Sequence, residues 1–147
     1  MNVQLIDLFN YHQSLNKQLI HLLINHQDAL PDEAFDLYSH CINAHQIWNA
    51  RITGEPSFAP FDIHPVADYE KLESANFEKT HQLLATTNLS QVIHYQSSTG
   101  EKFQNTVGEI YFHLVNHYTH HKAQISTLLR QNGITPLKSD YIFYTRK

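Results

Sequence analysis

Thr106-Val107-Gly108-Glu109-Ile110-Tyr111-Phe112-His113-Leu114-Val115-Asn116-His117-Tyr118-Thr119-His120-His121-Lys122-Ala123-Gln124-Ile125-Ser126-Thr127-Leu128-Leu129-Arg130-Gln131-Asn132-Gly133 reads as one helix with its start and stop signals written in. Thr106 with Glu109 three residues on is a capping box: the hydroxyl accepts from the N3 amide and the carboxylate reaches back to the N-cap amide. Ile110, Leu114, Ile125, Leu128 and Leu129 recur at three- and four-residue steps, which puts them on one side. Gly133 supplies the left-handed stop.

The rest of the chain repeats this pattern outward. Leu5, Leu8, Phe9, Leu15, Leu19, Leu22 and Leu23 make an amphipathic helix of residues 2–25, with no Gly or Pro to interrupt it. Pro31-Asp32-Glu33 opens a second helix, which runs through Leu37, Cys41, Ala44, Ile47, Trp48 and Ile52 to Gly54, with Pro56 just beyond. Residues 55–66, with Pro56, Pro60 and Pro65, form a connecting loop whose Phe58 and Phe61 are expected to pack onto the domain. A third helix spans Val66 to Thr86, with Tyr69, Leu72, Phe77, Leu83 and Leu84 as its apolar side. Val92, Ile93 and Tyr95 then face Phe103 and Val107 across Ser97-Ser98-Thr99-Gly100-Glu101, which predicts a small β-hairpin. The tail from Ile134 carries Tyr141-Ile142-Phe143-Tyr144, too apolar to float free, and should dock on the domain or on a partner chain. The fold class that follows is all-α: an up-down four-helix bundle with a longer crossover and a small hairpin before the last helix, as one domain over residues 1–147.

Composition narrows the function. Ten Lys and Arg against fourteen Asp and Glu give a net charge of −4, and the basic residues are scattered. That argues against a nucleic-acid partner, which needs a basic face for the phosphates. No stretch approaches the roughly 20 apolar residues of a membrane span. The opening residues carry no basic region followed by an apolar run, so a secretory signal is not expected. The single cysteine, Cys41, excludes an internal disulfide and cysteine clusters, and points to the cytoplasm as a reducing compartment. It is read as a small buried apolar residue.

Twelve histidines outnumber all Lys and Arg together. His113, His117 and His121 stand at i, i+4 and i+8. At about 100° per residue the stripe drifts by only about 40° per step, so neighbouring members share a helix face. Two imidazoles at i and i+4 can chelate one divalent ion, while the same stripe also suits a hydrogen-bonded core. A third imidazole has to come from another helix. His40 and His45 are the candidates; they lie about 140° apart on the helical wheel and cannot serve one site together. Periodicity does not separate them. His12, His21, His26, His64, His81 and His94 read as surface residues, and His120 as exposed. Trp48 and Tyr118 read as core.

Ser39-His40-Cys41-Ile42-Asn43-Ala44-His45-Gln46-Ile47-Trp48, the segment from Thr106 to His117, His121-Lys122-Ala123-Gln124 and the closing Asp140-Tyr141-Ile142-Phe143-Tyr144 resemble the DinB-like (DNA-damage-inducible) family. The resemblance covers essentially the whole chain. It implies a four-helix bundle with a three-histidine divalent metal site, a homodimer, and kinship with thiol-dependent S-transferases and maleylpyruvate isomerases. Carried over by position, the metal ligands are His40, His117 and His121, with His40 preferred because it holds the histidine of the family's His-x-x-x-Ala segment. The family commonly has Arg-Gly-Gln or Arg-Ala-Gln after the last ligand. Lys122-Ala123-Gln124 keeps the charge there and loses the planar fork of arginine.

Three neutral imidazoles would leave a divalent charge uncompensated and a coordination position open, the pattern of a catalytic site. Imidazole suits zinc, nickel, copper and iron, with zinc, nickel or iron expected here. The resemblance adds a low-molecular-weight thiol as co-substrate, acting with a small-molecule substrate in a thiol transferase or hydrolase; a binding protein without turnover is the alternative. Glu109, His113 and Gln124 are candidates for support around the imidazoles or for the pocket wall, Glu109 with its capping role as the competing use.

Overall fold

The computed structural model describes residues 2–147. Among the described residues there are five α-helices and one two-stranded antiparallel sheet: α1 (Asn2–Asn25), α2 (Asp32–Thr53), α3 (Tyr69–Thr86), β1 (Val92–Gln96), β2 (Lys102–Thr106), α4 (Val107–Gln131) and α5 (Tyr141–Thr145). No helix is long and apolar enough to cross a membrane among the described residues.

The termini of α4 form as the sequence predicts. The Thr106 hydroxyl accepts from the Glu109 amide and the Glu109 carboxylate accepts from the Thr106 amide. At the other end Gly133, at φ 75°, donates to the Arg130 carbonyl and Ile134 donates to the Leu129 carbonyl. These are the two bonds of a Schellman motif, and its usual apolar contact is present, with Leu129 and Ile134 buried in the same cluster. The third helix starts later than its apolar pattern suggests. Pro65 fixes the entry, and Val66–Asp68 take a 3-10 turn before α3 begins at Tyr69. Such turns commonly tighten helix starts.

Each of the four long helices packs on two others: α2 on α3 and α4, and α1 on α3 and α4. The enclosed core has two parts. Phe9, Cys41, Phe77, Ile110, Tyr111, Leu114 and Tyr118 fill one; Leu19, Ile20, Leu23, Tyr38, Ile42, Tyr69, Ile125 and Leu129 fill the other. The hairpin pairs Val92 with Thr106 and Gln96 with Lys102, and closes through Ser97–Glu101 with Gly100 at φ 86°. Its core contact is Ile93, which is buried. The tail docks on α1: Tyr11 donates to the Ser139 carbonyl, Tyr141 donates to the Asp7 carboxylate, and the Tyr11 ring lies 5.2 Å from that of Tyr141.

The interior is unusually polar. His12, read from the sequence as a surface residue, is fully buried and stacks on Tyr118 at 5.4 Å; burial holds it neutral, with a pKa down to about 2. Lys122 is 6% exposed, its ammonium 5.4 Å from the Tyr118 ring, and burial pushes it down to about 7. Glu73 of α3 is 3% exposed and accepts from the Tyr38 hydroxyl at 3.0 Å. Burial pushes its carboxyl up to about 7 from an ordinary 4.5.

A raised carboxyl pKa means that the folded chain keeps a proton which the unfolded chain has already released. Stability therefore falls as pH rises from about 4.5 through about 7. Glu73→Gln keeps an oxygen for Tyr38 and removes the titration. Unfolding free energies from urea titrations between pH 4.5 and 7.5 should fall less with pH in that variant, by up to about 3 kcal/mol across the range; parallel profiles would show that Glu73 does not titrate in this range.

Candidate metal centre

His40 of α2 and His117 and His121 of α4 meet at the edge of the α2–α4 contact. Each offers one ring nitrogen, and the three nitrogens lie within 4.8 Å of one another. Ring centroids are 5.0 Å apart for His40 and His117, 4.9 Å for His40 and His121, and 4.4 Å for His117 and His121. The i, i+4 spacing brings the α4 pair together, and the helix contact brings the third.

The ring orientations are set by partners outside the cluster. Nδ1 of His40 lies 3.0 Å from the Pro60 carbonyl, an acceptor, so it carries the proton and leaves Nε2 with a lone pair. Nδ1 of His121 lies 2.6 Å from Oε1 of Gln124 and is held the same way. Nε2 of His40 stands 3.1 Å from Nε2 of His117. Two nitrogens each about 2.1 Å from one ion would be separated by roughly this distance at an angle near 95°. An acceptor behind the ring is the usual support of a metal-bound imidazole. His117 is half-buried, and burial followed by its histidine neighbours lowers its pKa to about 3. It is neutral at physiological pH, as a metal ligand must be. The donor set and its geometry fit a divalent ion.

The loop between α2 and α3 closes one side. Phe61, although 80% exposed, stacks face-on against His40 at 5.4 Å and 13°. Asn43, one turn after His40, donates to the Asp62 carbonyl at 2.8 Å, and its Oδ1 accepts from His64 Nε2 at 2.6 Å. Read from the sequence as a surface residue, His64 instead pins the loop that presents the Pro60 carbonyl. Asn43, Pro60 and Phe61 were not legible as site residues; the only trace is that Asn43 sits at i+3 from His40 and so shares its face.

The remaining candidates divide. His113 lies on the preceding turn, 5.6 Å from His117 and 5.5 Å from Trp48. Gln124 holds His121. Glu109 is spent on the start of α4, accepting from the Thr106 amide and from Asn105 Nδ2, with no imidazole among its described partners; hydrogen bonds from this cap lower its carboxyl pKa. His120 is exposed beside His121. Cys41 is buried, and desolvation drives its thiol up to about 12, so it is no ligand or nucleophile at neutral pH.

His45, the alternative that periodicity left open, is occupied elsewhere. It is fully buried between α3 and α4, with Nε2 2.7 Å from Thr80 Oγ1 and Nδ1 2.7 Å from the Tyr118 hydroxyl. The Thr80 hydroxyl donates to Asn49 Oδ1, so it accepts from His45 Nε2–H, and Nδ1 accepts from Tyr118. Burial lowers the His45 pKa to about 3 and keeps it neutral.

A model of the DinB family matches residues 1–147, the whole chain, and the chain belongs to that family. No curated protein matches it.

Because His45 spends both nitrogens inside the core, its loss is a stability effect. His45→Ala opens a cavity and strands the Thr80 and Tyr118 hydroxyls. It should cost about 2–4 kcal/mol in a urea titration, whereas a cost below about 0.5 kcal/mol would mean that these bonds are not made in solution.

Proposed function

We propose that this DinB-family chain is an up-down four-helix bundle that holds one divalent ion on His40, His117 and His121 and acts as a metal-dependent enzyme of the thiol-transferase or hydrolase type. The observation that carries the reading is the convergence of three imidazoles, two of them fixed from behind by the Pro60 carbonyl and the Gln124 side chain. Neutral ligands leave the ion's charge uncompensated and three protein ligands leave room for another, which separates this set from a closed structural site.

His40, His117 and His121 would hold the ion, which would supply Lewis acidity that lowers the pKa of a water or a thiol toward neutral. The chain's own residues orient and shield. Pro60 and Gln124 fix the tautomers of His40 and His121, Phe61 covers the outer face of His40, and His113 with Trp48 lines the approach along α2 and α4. Zinc, nickel and iron all suit imidazole. A metal- or ligand-binding protein without turnover shares this geometry and differs only in activity. The exposed Phe112, Ile142 and Phe143 support a homodimer, and the single buried thiol suits the cytoplasm.

Elemental mass spectrometry on tag-free protein should find about one equivalent of a divalent metal, lost in His117→Ala. Gln124→Ala should keep the site and weaken its affinity about 10–100-fold, since it removes only the acceptor behind His121. Less than about a tenth of an equivalent after divalent ions are offered would overturn the metal reading. Thiol-dependent consumption of an electrophile, present in the loaded protein and absent in His117→Ala, separates the enzyme from the binding protein. Light scattering at micromolar concentration tests the dimer, and a monomer mass there removes it.

A further inference from the structure

A cleft of about 540 Å³ opens between the C-terminal half of α2, the loop after it and the hairpin. Trp48, Tyr95, Phe58 and Phe103 line it, and Arg51 is set among them. The volume suits a small organic ligand, and the lining combines an aromatic wall with polar groups, Arg51 the one charged side chain beside Ser57, Gln96, Ser97 and Ser98.

Arg51 is held in an unusual way. Its guanidinium lies 4.4 Å from the Trp48 ring and 4.6 Å from the Tyr95 ring, two rings that meet edge to face at 5.1 Å. These two cation–π contacts hold the guanidinium at the aromatic wall of the cleft. Its hydrogen bond to the Gln96 carbonyl, at 3.3 Å, uses one of five donors. No carboxylate lies within ion-pair distance of it among the described residues; the two ion pairs found are His21–Glu70 and Lys79–Glu55. A planar, half-buried guanidinium with free donors and no acid beside it is complementary to a carboxylate from outside.

The cleft and the histidine cluster adjoin. Pro60 lines the cleft and its carbonyl holds His40. Trp48, in the cleft wall, is 5.5 Å from His113, which is 5.6 Å from His117. Those steps bound the separation of Arg51 and the His117 ring to about 16 Å, the reach of an extended chain of four to five residues.

We propose that this cleft is the substrate site of the three-histidine centre, and that its ligand is an elongated small molecule with a carboxylate on Arg51, an apolar middle against Trp48 and Tyr95, and a metal-seeking group such as a thiol at the histidines. The assignment of the far end rests on the metal reading; the carboxylate end does not. Arg51 is a specificity determinant here, remote from the reacting atoms.

Trp48 is the chain's one tryptophan, so its emission reports on the cleft. The probes are 8-mercaptooctanoate, its amide, and octanoate and octanamide, titrated against metal-loaded and chelator-treated protein. Both acids should give a saturable change and bind at least about tenfold more tightly than their amides. In Arg51→Gln the acid and amide should become equivalent, and in Arg51→Lys a smaller preference should remain. The thiol should strengthen binding over octanoate only in loaded protein. Acid and amide binding equally in the wild type, a preference that survives Arg51→Gln, or no saturable response to either acid would overturn the proposal. If the protein binds no metal, the thiol advantage disappears while the preference of octanoate over octanamide persists, so failure of the metal reading is told apart from failure of the Arg51 site.

Discussion

The structure depends on the register of α2 against α4, and a buried hydrogen-bond network sets that register. His45 reaches Tyr118 on one side and Thr80 on the other. Thr80 and Tyr111 both donate to Asn49 Oδ1, and Asn49 donates to the Asn76 carbonyl. Every bond joins two of the three helices α2, α3 and α4. Apolar packing alone tolerates a slide by a turn, because one methyl group resembles another. A hydrogen-bonded imidazole does not, since a slide would strand buried polar groups at a cost of about 1–3 kcal/mol each.

The histidine cluster sits at the margin of this locked region. Tyr118 takes His45, and its neighbour His117 faces His40, five residues earlier on α2. Adjacent residues of α4 thus divide the work. One side chain turns inward and fixes the helix pair; the next turns to the edge and meets the cluster. The outer wall is a loop rather than a helix, tied down by Asn43 and His64. A rigid helix pair with a loop across its edge leaves access to the histidines while holding their rings within a few ångströms.

The interior beside the network carries Glu73, Lys122 and His12, each desolvated and each displaced toward its neutral form. Lys122 directly follows the last of the three histidines. Its ammonium lies by the faces of Tyr11 and Tyr118 and has no hydrogen-bond partner among the described residues. The charge that family resemblance places next to the last histidine therefore turns into the core, about 100° around α4 from His121.

The sequence by itself determined the four long helices, both ends of α4 and the hairpin, because these rest on local rules: an i, i+3, i+4 apolar period, a capping box, a glycine at a left-handed position, a turn between two β-rich runs. It determined neither the late start of α3 nor the short α5. It also determined that His117 and His121 share a face, since one helical turn joins them. Local rules could not choose between His40 and His45, which are equally good by periodicity. Packing decided: α3 supplies Thr80 for His45, and a loop some twenty residues downstream supplies Pro60 for His40. His12 looked like any exposed histidine until α1 and α4 closed over it. Glu109 had two uses on paper, and the cap took it. The Arg51 cleft needed the hairpin folded back onto α2, a contact between residues more than forty positions apart. Such pairings carry no periodic trace in the chain, because they are set by which surfaces meet and not by what precedes or follows each residue.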